Sequence, residues 1–219
     1  MPAPGEHHPA FEEYCDCIFE LAEDGVEVIQ ARIAERLDVS RPAVSEMMRR
    51  LVAEGLVSLE RGIALTEQGD ALAQRVVRRH RLAERFLTDI LKLSWAEAHH
   101  EAGKWEHVIS ESVEDAMDTL LGSPTTCPHG NPIPGSGYNE PATVRLADHV
   151  AGDGFSIIRI PEELEFAPGT LEFLEEVGLL PGQSGRLIGV SGDGNLLVEL
   201  DGRTVEVDPF IGERILVTA

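Results

Sequence analysis

The chain has 219 residues, 42% of them apolar, and a formal net charge of −21. That content suits a soluble globular protein of one large or two to three small domains, and the excess of acid excludes a uniformly polyanion-binding surface. No run of about 18 apolar residues points to a membrane span. The opening MPAPGEHHPA lacks the basic and apolar regions of a signal peptide, so a cytoplasmic location is expected. Cys15, Cys17 and Cys127 are odd in number and are spaced neither as a disulfide framework nor as a zinc ribbon. The charge is unevenly laid out. From Val28 to Lys92 there are 12 Lys+Arg and 9 Asp+Glu, a net +3, whereas the remainder carries −24. A modular protein with one polyanion-binding part fits this split.

Residues 1–9 are rich in Pro, Gly and His and are expected to be disordered. Over residues 10–22, Tyr14, Ile18 and Leu21 recur at i, i+4, i+7, the pattern of an amphipathic helix, and Glu13 and Asp16 sit three apart on its other side. Such a pair of acids is ordinarily a solvated face. Next, Ile29, Ile33, Ala34 and Leu37 predict one helix, Asp38 to Ser40 a tight turn, and Val44, Met47, Met48 and Leu51 a second helix. Ser40 caps that helix, Pro42 sits where its missing N–H costs nothing, and Gly55 stops it. Leu56–Leu59 and Ile63–Thr66 then flank Glu60-Arg61-Gly62 as a small hairpin. Together these read as a winged helix-turn-helix over residues 1–72. The second helix would present Ser40, Arg41, Pro42, Ala43, Ser45 and Glu46 to the major groove of double-stranded DNA. Arg32, Arg36, Arg49 and Arg50 are candidates for phosphate contacts; each alone is equally an ordinary surface charge.

Residues 73–122 read as helical, with a helix from Gly69 to Leu91 and one or two more from Trp95 to Leu121. Within this part, His80 to His107 holds four of the eight histidines. His80 and Glu84 are four apart, and His99, Gly103, Glu106 and His107 fall within about one third of a helix circumference. Imidazole and carboxylate converging on one space suit a divalent transition metal, although each of these residues alone reads as a solvated polar group. Residues 123–142, rich in Pro and Gly, are expected to be a linker without helix or strand, and Cys127 and His129 inside it are weak metal evidence by themselves. Residues 143–219 show short strands between Gly turns, one short helix near Gly169–Val177, and an acidic loop with Glu162, Glu163 and Glu165; they read as a small β-barrel of the SH3 type.

With these parts in view, QARIAERLDVSRPAVS, RRHRLAERFLTDIL, HHEAGKWEHVIS and PHGNPIPG resemble the diphtheria-toxin-repressor family of metal-dependent transcriptional regulators over almost the whole chain. The resemblance implies a mainly α fold with β: a winged helix-turn-helix, a helical metal-binding and dimerisation domain, and an SH3-like β-barrel. It also implies a homodimer on a palindromic operator and two metal sites per subunit for Mn(II) or Fe(II). Carried over, one site uses His80, Glu84 and His99 with Glu162 and Glu165. The other uses Glu13, the Gly103 carbonyl, Glu106 and His107, with Asp16 at a position where the manganese branch carries a second acid. Glu13 stands where the iron branch has methionine, which favours manganese, and Gly103 lacks the side-chain ligand of either branch. Glu46, where relatives often carry an amide, accepts hydrogen bonds but donates none, which alters base preference. A hydrolytic metalloenzyme is the rival from another class, but the chain has no H-E-x-x-H, nucleophile motif or phosphate loop. A metal-independent DNA-binding protein is a third reading. No membrane partner or small-molecule substrate is expected.

Overall fold

A computed structural model describes residues 8–218. The expectation of disorder over residues 1–9 lies outside them except at His8 and Pro9, where the His8 side chain accepts from Ala10 N and Pro9 opens the first helix. That helix, α1 (Pro9–Glu23), buries Tyr14, Ile18 and Leu21 as their spacing predicts, together with Phe11, Cys15 and Cys17. The helix-turn-helix follows as α2 (Gln30–Arg36) and α3 (Arg41–Ala53). Ser40 Oγ accepts from Ala43 N at 3.3 Å, and Pro42 lies in the first turn. The wing is a minimal antiparallel pair, β1 (Val57–Ser58) and β2 (Ala64–Leu65), with Val57 opposite Leu65. Ile33, Val44, Met48, Leu51 and Leu56 complete this core against α1.

The long helix α4 (Glu67–Arg85) begins at the wing, where Thr66 Oγ1 accepts from Gly69 N at 3.1 Å. Gly69 is required there, because a Cβ would stand 2.0 Å from the Leu56 carbonyl oxygen. The helix runs unbroken through residue 72. It gives Leu72 and Ala73 to the winged-helix core and Leu82 and Ala83 to a second, helical core. A π-helical turn over Phe86–Ile90 ends it. α5 (Trp95–Trp105), opened by a Ser94–Glu97 capping box, and α6 (Glu111–Leu120) build the rest of that second core around Ala98, Ala102 and Met117.

Residues 122–141 hold no helix or regular strand, as their composition predicts, but they are not a free linker. Cys127, His129 and Asn131 are fully buried, and Thr126 bridges to Pro132. Gly130 lets the segment lie against the C-terminal sheet: its φ is +89°, and a Cβ would meet the Ile158 carbonyl oxygen at 2.2 Å.

The C-terminal part is a six-stranded antiparallel sheet in the order β3-β8-β4-β5-β6-β7. Its strands are β3 (Thr143–Arg145), β4 (Gly154–Arg159), β5 (Ser184–Val190), β6 (Leu196–Leu200), β7 (Arg203–Val207) and β8 (Leu216–Thr218). Irregular pairing near Ile157–Arg159 and Leu187–Gly189 bends the sheet over Phe155, Ile157, Val198 and Val217. The expectation of one helix here is corrected to three α-helices among the described residues, α7 (Glu162–Glu165), α8 (Thr170–Val177) and α9 (Pro209–Gly212), with a 3-10 turn over Leu146–Asp148 besides. α7 and α9 are single turns, too short for a sequence period to reveal. Trp95 of α5 inserts into this core, and its backbone N–H donates to Glu175 Oε2 at 3.2 Å, so the sheet domain is docked on the helical one.

Candidate metal centre and DNA-facing helix

Three elements deliver carboxylates and imidazoles to one buried space. From α4 come His80 and Glu84, from α5 His99 and the following Glu106, and from α7 Glu165. Glu84 is at the middle. Its Oε1 lies 3.2 Å from His80 Nε2, 3.0 Å from His99 Nδ1 and 3.5 Å from His129 Nδ1. Glu165 Oε2 lies 3.2 Å from His99 Nδ1 and 2.7 Å from His129 Nδ1, while its Oε1 accepts from Asn131 Nδ2 at 2.6 Å. Ligand atoms of His80, Glu84 and His99 fall within 4.8 Å of one another, as do those of Glu84, Cys127 and His129, and those of His99, Glu162 and Glu165. Glu162 also holds Arg81: Arg81 Nη2 donates to Glu162 Oε1 at 3.0 Å and to Glu23 Oε2 at 2.6 Å, and this guanidinium is fully buried.

His80 faces two ways. Its Nδ1 lies 2.6 Å from Glu106 Oε2, and Glu106 Oε1 lies 3.2 Å from His107 Nε2. The chain of contacts ends where His107 Nδ1 meets Glu12 Oε2 at 2.8 Å. The α1 acid in this chain of contacts is Glu12; Glu13, the expected ligand candidate, is exposed. Helix geometry gives the reason: Glu12, Asp16 and Glu20 repeat at i, i+4, i+8 and share the inward face, whereas Glu13 is turned about 100° away. Asp16 does reach the cluster, and burial first, then the charge of Glu106, pushes its carboxyl well above the usual range against the pull of His80. Gly103 is exposed, and a Cβ there would meet nothing within 4 Å, so this position adds no side chain to the second group.

The electrostatics are those of a site assembled for a cation. Burial pulls His99 down, but its hydrogen bonds to the accepting carboxylates of Glu165 and Glu84 outweigh it and hold the imidazole at about 9. Burial likewise disfavours charge on His80 and His129, yet Glu84 dominates the opposing effect at His80 and Glu165 at His129, so both are raised well above the ordinary value. Burial alone would raise Glu84; the charges of His129 and His80 hold it well below. Burial lifts the Cys127 thiol to about 11. Among the described residues, the buried side-chain atoms without a well-aligned hydrogen bond are Asp16 Oδ1, His80 Nε2, Glu84 Oε2, His129 Nε2, Glu162 Oε2, Glu165 Oε2 and Arg214 Nε, although Glu165 Oε2 and His80 Nε2 lie within ion-pair distance of His129 and Glu84. Six of these seven belong to this one cluster, and orphaned buried acceptors are costly. Carboxylate oxygens, with imidazoles that become ligands on losing a proton, fit a divalent transition metal.

Cys127 and His129, which sequence reasoning left in a linker, thus belong with the ligand candidates. Their signal was the C-x-H pair itself, outweighed by the surrounding Pro and Gly. In the helix-turn-helix, Arg32, Ser40, Arg41, Pro42, Ala43, Glu46, Arg49 and Arg50 are exposed and Ser45 is half-buried. Glu46 pairs with Arg49 within the helix, and the Arg50 guanidinium lies 5.0 Å from the Phe11 ring centroid. Arg36 does not share this face. Its Nη1 donates to Glu20 Oε2 at 3.1 Å with both side chains 6% exposed, so it is a structural ion pair and not a phosphate contact. Among the described residues no helix is long and apolar enough to cross a membrane.

Comparison with known proteins agrees with this layout. Residues 8–63 match the family described as iron dependent repressor, N-terminal DNA binding domain. Residues 66–135 match iron dependent repressor, metal binding and dimerisation domain. The iron-dependent repressor IdeR of Mycobacterium tuberculosis is 41% identical over 184 residues, covering 78% of this chain and 80% of its own length. The diphtheria toxin repressor of Corynebacterium glutamicum is 37% identical over 207 residues, 90% of each chain. Among solved structures, a manganese-dependent transcriptional repressor in complex with manganese superposes with a TM-score of 0.85 at 31% identity, covering 95% of this chain and 99% of its own. IdeR of T. acidophilum gives 0.76 at 32% identity, covering 95% and 97%. The chain belongs to the iron-dependent, diphtheria-toxin-type family of metal-dependent transcriptional repressors.

Proposed function

We propose that this protein is a cytoplasmic homodimer that represses transcription when Mn(II) occupies two centres in each subunit, binding a palindromic operator of metal-uptake genes. The observation that carries the metal reading is the convergence of ligand atoms, those of His80, Glu84 and His99 and those of His99, Glu162 and Glu165, to within 4.8 Å of one another. One centre uses His80, Glu84 and His99 with Glu162, Glu165 and the added His129 and Cys127. The other uses Asp16, Glu106 and His107, with Glu12 in place of Glu13. Bound metal supplies divalent charge that offsets the converging carboxylates. The chain's own part is mechanical: Glu12 and Asp16 belong to α1 of the DNA-binding part, and Glu106 and His107 follow α5 of the dimerisation part. Holding the two groups together fixes one part against the other, so metal that prefers this arrangement shifts the population towards it. Arg32, Arg49 and Arg50 then contact phosphate while Ser40, Arg41, Pro42, Ala43, Ser45 and Glu46 face the major groove.

The donor set is rich in oxygen and contains no thioether, which favours Mn(II); the Cys127 thiol favours a softer ion and keeps Fe(II) as the second reading. The test is a titration of the purified chain with Mn(II) and Fe(II) under anaerobic conditions, read out on DNA selected from a random pool by the metal-loaded protein. Wild type gains roughly 5–150-fold in DNA affinity, and Glu106→Ala remains a folded dimer without that gain. A Glu106→Ala response equal to wild type refutes the assignment of the second centre, and DNA binding indifferent to EDTA refutes metal control.

A further inference from the structure

One aromatic residue touches both the metal candidates and the helix-turn-helix, and it coordinates nothing itself. Phe166 follows Glu165 directly as the C-terminal cap of α7. The His99 ring meets it edge-on, with centroids 5.2 Å apart and planes at 89°. The Arg36 guanidinium lies over the Phe166 ring, 4.2 Å from its centroid. Arg36 is the last residue of α2, just before the turn into α3, and its partner Glu20 is a buried carboxylate of α1. The opposite end of α7 is fixed as well, since Glu163 N donates to Asp24 Oδ2 at 3.1 Å.

Resting on the metal reading above, we propose that Phe166 is a positioning residue that relays occupancy of the centre containing His99 and Glu165 to the turn between α2 and α3. His99 and Glu165 set where the ring lies, because one packs against it and the other precedes it in the chain. The ring sets where Arg36 lies, because a guanidinium partly removed from water gains from an aromatic face. Arg36 sets the end of α2, because Glu20 is buried and the ion pair between them is shut off from solvent. Phe166 is itself 47% exposed, so the residue is not needed to fill a core.

The experiment is hydrogen–deuterium exchange on the full chain with and without Mn(II), with metal binding measured separately by equilibrium dialysis. In wild type, Mn(II) binds and slows exchange both near residues 80–107 and in residues 30–36. In Phe166→Leu, which keeps apolar bulk but loses the ring face, Mn(II) still binds and slows residues 80–107, while the slowing in 30–36 falls roughly fivefold. Phe166→Trp, which keeps a ring face, restores it. A loss of structure alone would lower protection equally with and without metal and would overturn the relay. Undiminished slowing of residues 30–36 in Phe166→Leu overturns it too, with the metal reading intact. Failure of wild type to bind Mn(II) refutes the metal reading and the relay together.

Discussion

Binding of Mn(II) should expel protons, and His99 sets a scale for the effect. Its imidazole is held at about 9 by Glu165 and Glu84 against burial, with His80 opposing, whereas its ordinary value is 6.5. An imidazole that ligates a metal must be neutral. At pH 7 the proton on His99 is two pH units below its dissociation point, so displacing it costs about 3 kcal/mol, or about 100-fold in apparent metal affinity. The affinity should therefore climb about tenfold per pH unit for each such histidine between pH 7 and 9, and His80 and His129, raised in the same direction, steepen the climb. The metal-free protein should do the opposite. A histidine raised in the folded state contributes stability that is fully present below about 6.5 and is lost as the pH rises through about 9. Calorimetry in buffers of different ionisation enthalpy counts the protons released, and thermal melts from pH 6 to 9 follow the metal-free stability. Binding that releases no proton and an affinity flat from pH 7 to 9 would refute the assignment of these imidazoles as ligands.

Three further outcomes follow from single substitutions. Gly130→Ala forces a side chain into a left-handed backbone against the Ile158 carbonyl; we expect a loss of about 2–5 kcal/mol and a melting point lower by roughly 5–15 °C, read by circular dichroism. Arg32→Ala or Arg49→Ala should weaken DNA binding and reduce the salt slope by about 0.9 each, whereas Arg36→Ala should leave the slope unchanged and cost about 3–5 kcal/mol of stability by stranding buried Glu20. Cys127→Ala should change Mn(II) affinity by less than about tenfold while reducing Zn(II) affinity by more than that, because thiolate suits the softer ion; equilibrium dialysis with both metals decides whether this thiol is a ligand.

The helices were legible because their signals repeat. Tyr14, Ile18 and Leu21, and then Val44, Met48 and Leu51, mark buried faces by period alone, and Ser40 and Pro42 mark where α3 starts. His80, Glu84, His99, Glu106 and His107 stood out because their spacing puts them on few helix faces. The remainder depends on tertiary placement. The i, i+4, i+8 row of Glu12, Asp16 and Glu20 can be read in the sequence, but that this row meets His107 follows from how α1 packs against the rest of the chain. Arg36 looks like Arg32 in sequence, yet Glu20 and Phe166, far apart in the chain, draw it away from the exposed face of the helix-turn-helix. Cys127 and His129 sit among residues that forbid regular structure, and an irregular segment is easily taken for a mobile one. Here it is pinned by buried polar bonds, such as that from Asn131 Nδ2 to the Ile160 carbonyl at 3.0 Å.

The continuity of α4 has a mechanical consequence. Gly69 packs on Leu56 and Leu72 lies in the winged-helix core near its start, and His80 and Glu84 near its end belong to the candidate metal cluster. From Gly69 to His80 is ~16 Å along the axis. A helix without a break transmits tilt as a lever does, so a tilt of about 10° pivoting at His80 would swing the far end by about 3 Å, close to the ~3.4 Å rise of one base along a DNA strand. Sub-ångström adjustments among side chains at one end are thus enlarged at the other to the scale on which a helix finds or misses its step in the groove.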